Sequence, residues 1–137
     1  MLKEKLIKHI TSNLNHNKEN PKLRKLANNM KLVYICSPLK GDMKNNIGKA
    51  IKYCKLAVAK GFIPIAPHIY FTQFLDDNDM EERELGLRCG LELVRYVAEL
   101  WIFGNNISEG MQAEIKHANS MNKIIRYFKE DGGANSE

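Results

Sequence analysis

Glu114 is the residue of this 137-residue chain whose type and setting best suit chemistry. It lies in Asn105–Ser120, NNISEGMQAEIKHANS, directly after the apolar run Glu99–Gly104, ELWIFG. The pattern predicts a strand, a small polar turn, and a helix that opens near Ser108–Gly110. A helix beginning with Ser and Gly offers unpaired backbone N–H groups and a positive dipole end, which suits a phosphate. One helical turn beyond Gly110, the Glu114 carboxylate would stand near the same mouth. A transfer reaction on a sugar phosphate needs that pairing. A structural reading stays open beside it, because acids in early helical turns also complement the dipole.

These groups need a frame. Lys31–Cys36, KLVYIC, is a continuous apolar run, as in a strand buried on both faces. The polar turn Ser37–Asp42, SPLKGD, follows, and then Met43, Ile47, Ile51, Cys54 and Val58 mark one face of a helix ending near Gly61. Phe62–Ala66, FIPIA, is the next strand, and the unit has the length of a right-handed βαβ crossover, about 30 residues. Pro67–Asp79, PHIYFTQFLDDND, reads as a long loop of the kind that often serves as a lid. Asp79 with Glu82 forms a capping box for a helix from Met80 to Ala98, packed through Leu87, Leu91, Val94 and Ala98. Gly86 and Gly90 share a face of that helix at a cost of up to about 1 kcal/mol each, so a backbone or a ligand is expected close by. The strand Lys123–Phe128, KIIRYF, completes the alternation.

The expected fold is α/β: a three-layer, flavodoxin- or Rossmann-like parallel sheet of four to five strands, with an extra N-terminal helical arm. Ligands in such folds sit beyond the C-terminal strand ends, which nominates SPLKGD, PHIYF and NNISEGMQAE. There is no GxGxxG and no Walker lysine motif, which argues against an NAD or P-loop ATP site. Residues 31–128 are assigned to this domain, and residues 129–137 to a disordered tail. In the arm, residues 1–30, Leu2, Leu6, Ile10 and Leu14 recur at helical spacing, and a second short pattern holds Leu23, Leu26 and Met30. An apolar stripe of this kind is buried by packing or by oligomerisation, and no aromatic residue supports a membrane-surface role.

Charge is unevenly placed. Residues 1–33 hold eight Lys or Arg against two Glu, and the remaining 104 residues hold 13 against 14 acids. The net charge of +5 therefore belongs to the arm, and nucleic acid is not the expected partner of the main domain. Cys36, Cys54 and Cys89 form no CxxC pair and no zinc set, as in a reducing compartment, so no metal is expected. No run approaches the roughly 20 apolar residues of a membrane span, and the N-terminus lacks a signal-peptide core. A cytoplasmic protein is expected.

VYICSPLKGD, IPIAPH, ELWIFG and SEGMQAEI, in that order and spacing, resemble the nucleoside 2-deoxyribosyltransferase-like superfamily over roughly residues 31–128. Within it they are most similar to a phage and bacterial branch of small proteins, of the DUF4406 and DUF7768 kind. The resemblance implies that Glu114 attacks the anomeric carbon of a nucleoside and displaces the base, as in a retaining glycosidase. It implies that Ser108 and Gly110 hold a 5′-phosphate, together with the first-strand loop of Ser37, Pro38, Leu39, Lys40 and Gly41. Lys40 would act there as a point cation, although an exposed lysine beside a turn is an equal reading. His68 falls where the nucleotide-hydrolysing branch has a histidine; by itself it reads as a polar residue that fixes the loop. Tyr34 matches an aromatic of the first strand and by itself reads as core.

One departure matters. The characterised members carry an aspartate in the helix before the third strand, and counting back from Glu99 reaches Leu91, or Gly90 with one insertion. Neither transfers a proton. Asp76, Asp77, Asp79 and His68 are the candidates to replace it. The expected function is cleavage or exchange of the N-glycosidic bond of a nucleoside 5′-monophosphate or related nucleotide, without a cofactor. The alternative is non-catalytic capture of a nucleotide or nucleotide-derived signal, as in phage counter-defence. Subunit contacts lie near the active sites of the superfamily, which implies a homodimer or larger homo-oligomer.

Overall fold

Strand β1, Lys31–Cys36, lies inside a four-stranded parallel sheet in a computed structural model that describes residues 1–16, 20–24 and 31–134. Helix α1 spans Leu2–His16, and after β1 come α2 (Met43–Ala59), β2 (Phe62–Ile65), α3 (Pro67–Phe71) and α4 (Met80–Val94). Strand β3 (Glu99–Phe103), α5 (Glu109–Ser120) and β4 (Ile124–Phe128) follow. The sheet order is β2-β1-β3-β4, with every neighbouring pair parallel. The α/β architecture with an N-terminal helix is as read from the sequence, at the four-stranded end of the range.

The period-two alternation of the strands sorts the core into two layers. Val33 and Ile35 of β1 join Trp101, Phe103, Phe128 and the α2 residues Tyr53 and Ala57 on one face. Tyr34 and Cys36 join Leu100 and Ile102 on the other, against Val94 of α4 and Met111 and Ala118 of α5. Tyr34 is thereby aimed at the same layer as the helix that carries Glu114. Asp42 caps α2 by accepting from the Asn45 N–H, and Gly61 takes a positive φ of 89° in the turn into β2. Pro64 sits in the edge strand β2, where a missing backbone donor is tolerated.

Several boundaries differ from the expected ones. Pro67–Phe71 is a helix, with Pro67 at a first-turn position that needs no donor. Helix α2 buries Ala50, Tyr53 and Ala57, with Cys54 and Leu56 packed beside them, and leaves Ile51 and Val58 exposed, so its buried stripe is rotated from the expected one. Helix α4 ends at Val94, leaves Leu87 exposed, and hands Ala98 to the sheet, where its N–H donates to Leu32 O at 2.9 Å. Within the expected tail, residues 129–134 form a turn: Lys129 N–H donates to Gly133 O at 2.7 Å, and Ala134 bridges Phe128; residues 135–137 lie outside the described residues. Helix α1 forms as expected, and Leu2, Leu6, Ile7 and Ile10 remain exposed along it. Leu23 is also exposed; Leu26 and Met30 lie outside the described residues. Among the described residues no helix is long and apolar enough to cross a membrane.

Glu99, 3% exposed, is held inside the sheet by two donors, Trp101 Nε1 at 2.9 Å and Arg126 Nε at 2.6 Å. Removing a partner from a buried charge costs more than replacing the charge. Arg126→Met is expected to lower stability by about 1–3 kcal/mol, and Glu99→Gln, which keeps an acceptor for Trp101, by less than about 1 kcal/mol. Urea unfolding at pH 7 ranks the two.

Candidate functional site

The strand order reverses between β1 and β3, so the loops leaving their C-terminal ends part to opposite sides and open a crevice. Asn46 of α2 holds the first loop, donating through Nδ2 to Leu39 O at 3.1 Å and Lys40 O at 3.0 Å. Ser108 ends the second loop and caps α5, its Oγ accepting from the Met111 N–H at 3.2 Å. Because β2 runs almost directly into α3, His68 is carried on the first turn of that helix, with Nε2 3.2 Å from Ser37 Oγ. This contact ties the β1 and β2 exits together.

Two adjoining cavities of about 80 and 120 Å³ meet here. Both are lined by Glu114, His68, Leu39, Asp77, Arg83 and Leu87. Tyr34, Gly86 and Gly90 line the first; Ser37, Lys40, Ser108 and Gly110 line the second. The crevice thus gathers residues from all three nominated segments.

Glu114 is open to the cavities on one side and enclosed by protein on the others. Desolvation raises its carboxyl from the ordinary value to about 7, and hydrogen bonding from Tyr34 and Cys36 offsets part of that rise. Burial, with the Glu114 charge second, pushes the Tyr34 phenol and Cys36 thiol well up, so both stay protonated donors. Burial also lowers His68 to about 4, which makes it a neutral imidazole at pH 7. A carboxyl titrating near 7, steadied by two neutral donors, can serve as a nucleophile or as a proton carrier.

Gly90 explains its own identity. A Cβ there would stand 3.0 Å from the Tyr34 hydroxyl, so the close approach expected along Gly86 and Gly90 is made by Tyr34 and by the cavity. Position 90 is therefore occupied by the phenol that serves Glu114, and Leu91 lines neither cavity. Among the loop acids only Asp77 lines these cavities. Asp79 caps α4, accepting from the Glu81 and Glu82 N–H groups, and Asp76 accepts from the Asn78 N–H at 2.9 Å. The other half of the capping box is displaced, since Glu82 accepts from the Asp76 N–H at 2.6 Å. Pro38 lines a third, polar cleft, and Gly41 is an exposed turn residue with φ of 96°.

Two site residues were not foreseen. Cys36 was legible as the i+2 neighbour of Tyr34 on one strand face. Arg83 lies three residues before Gly86 and seven before Gly90, on the same helical stripe. Among the described residues Arg83 and Lys40 make no ion pair, and no group of three His, Cys, Asp or Glu is placed to hold a metal ion.

Residues 31–128 match the family described as Domain of unknown function (DUF7768). The chain belongs to this family. Its fold is similar to that of a 2-deoxyribosyltransferase from the psychrotolerant bacterium Bacillus psychrosaccharolyticus, with a TM-score of 0.54 over 72% of each chain and 17% identity. No curated protein matches the sequence. The family match spans the whole sheet and leaves α1 outside.

The raised Glu114 value has a thermodynamic consequence. A carboxyl whose folded pKa exceeds its unfolded one costs nothing below the unfolded value, destabilises increasingly as pH climbs from the unfolded value to the folded one, and levels off above it. Glu114→Gln is therefore expected to stabilise the fold by about 2–3 kcal/mol at pH 8 and by little at pH 4.5, compared with wild type by urea unfolding at each pH.

Proposed function

We propose that this protein cleaves or exchanges the N-glycosidic bond of a nucleotide, with Glu114 as nucleophile. The observation that carries the reading is a buried, donor-steadied carboxyl facing a cavity at the C-terminal ends of β1 and β3. The likeness in fold to a 2-deoxyribosyltransferase supports it. In the first step a Glu114 oxygen bonds to the anomeric carbon as the bond to the base nitrogen breaks, and the electron pair leaves with the base. The departing base takes up a proton from solvent, relayed through Asp77 or His68 on the same cavity. Water or a second base then displaces Glu114 from the sugar. Ser37, Lys40, Ser108 and Gly110 hold the 5′-phosphate, with the α5 N-terminus behind them. Tyr34 and Cys36 keep the carboxylate in one orientation.

A second reading, capture of a nucleotide or nucleotide-derived signal without turnover, is favoured by one observation. No acid occupies position 90 or 91, and two donors bound to a carboxylate also restrain its nucleophilicity. In either reading the protein works in the cytoplasm, where its three free thiols stay reduced. It assembles as a homodimer or larger, consistent with the exposed stripe of α1 and with Tyr70 and Phe74 exposed beside the cavity.

Chromatography of nucleoside monophosphates and dinucleotides after incubation separates the readings. Wild type is expected to release free base, faster at pH 8 than at pH 6 as Glu114 ionises, and Glu114→Ala to lose about 10³-fold or more. Retention of one nucleotide without base release would move the assignment to capture. Light scattering at micromolar concentration is expected to give at least a dimer mass; a monomer would refute the assembly.

A further inference from the structure

A third cleft opens on the α2 side of the crevice, about 540 Å³ in volume. It shares Ser37, Lys40 and Ser108 with the Glu114 cavities, so these three residues form a saddle between the two sides. Ligand sites for whole small molecules occupy about 300–1,000 Å³. Neither cavity at Glu114, at about 80 and 120 Å³, reaches that range alone, and this cleft does.

Its chemistry differs from the apolar side. Asn105 and Asn106 line it with exposed side chains, and the backbone N–H groups of Asn105, Asn106, Ile107 and Ser108 donate to no protein group among the described residues. Successive free amides in a loop suit an anion. Lys49 and Glu130 face the cleft as an ion pair, so their charges cancel locally and Lys40 remains as its uncompensated cation. Tyr53 and Phe103, stacked at 3.9 Å and both buried in the core, form its floor. The Tyr53 hydroxyl is committed to Glu130 O at 2.7 Å, which keeps that floor in place.

We infer that this cleft is a second subsite, continuous with the Glu114 cavity across the saddle, and that it takes the pyrophosphate-bearing end of a nucleotide. The inference rests on the glycosidic reading for the orientation of the ligand, with its base and sugar toward Glu114 and its first phosphate at Ser37 and Ser108. The second phosphate then lies past Lys40, among the free amides of residues 105–108. A nucleoside diphosphate and a dinucleotide share this chemistry.

Titration calorimetry on Glu114→Gln, in which nothing is consumed, tests the subsite with AMP, ADP, dTMP, dTDP and NAD. For at least one base the diphosphate is expected to bind about tenfold or more tightly than its monophosphate, the worth of one or two charge-assisted hydrogen bonds. Adding Asn106→Trp, which fills the cleft from an exposed loop position, is expected to erase that preference and leave monophosphate binding within about threefold. NAD binding at least as tightly as ADP identifies the dinucleotide form, and weaker NAD binding identifies the diphosphate form. Equal affinity for mono- and diphosphates, equal weakening of both by Asn106→Trp, or no binding of any of the five compounds overturns the subsite. Base release from monophosphates without a diphosphate preference would leave the glycosidic reading standing and the subsite refuted. A lost preference in Asn106→Trp with no base release by wild type would do the reverse.

Discussion

The contact between Glu114 of α5 and the β1 side chains Tyr34 and Cys36 is the constraint on which the site depends. It joins a central strand to the helix that follows β3, across the layer that also holds Val94, Leu100 and Met111. A half-enclosed carboxyl is costly without donors, and here both donors are themselves too deeply buried to ionise. The glycine at position 90 belongs to the same arrangement, since a Cβ there would press on the phenol at 3.0 Å. Tyr34 therefore stands between two residues distant in sequence, Gly90 and Glu114, and touches both.

The opposite face of the sheet does quieter work. Tyr53, Phe103, Phe128, Trp101 and Phe62 form a run of ring contacts with centroids 3.9–4.8 Å apart. Rings packed at such distances tie α2, β2 and β4 to the central strand β3. The loops at the crevice thus depart from a rigid edge, while the residues that differ in charge sit on the loops themselves. His68 and Ser37 link two of those loops directly, so the geometry at Glu114 draws on all three β–α junctions.

Much of the frame was legible because apolar periodicity is strong in KLVYIC and ELWIF, which are buried along nearly their whole length. The convergence of SPLKGD, PHIYF and NNISEGMQAE followed from the parallel alternation alone. What escaped was set by tertiary packing. The face of α2 was misread because Tyr53, flanked by Ala50 and Ala57, meets the sheet, while the aliphatic Ile51 and Val58 turn outward. Arg83 looked like one more charge in EERELGLR, and only the placing of Gly86 and Gly90 shows which side of α4 meets the cavity. Asp77 could not be told from Asp76 and Asp79, because three neighbouring acids in a turn differ only in the direction the backbone gives them.

The two outer strands carry a further implication. Pro64 deprives β2 of a backbone donor, and the turn ending at Ala134 closes onto Phe128 at the far end of β4. Exposed strand edges invite neighbouring chains to add as further strands, and both devices blunt that tendency. Each device interrupts its edge at one position. Both edges are therefore poorer templates for an added strand than an uninterrupted ladder would be.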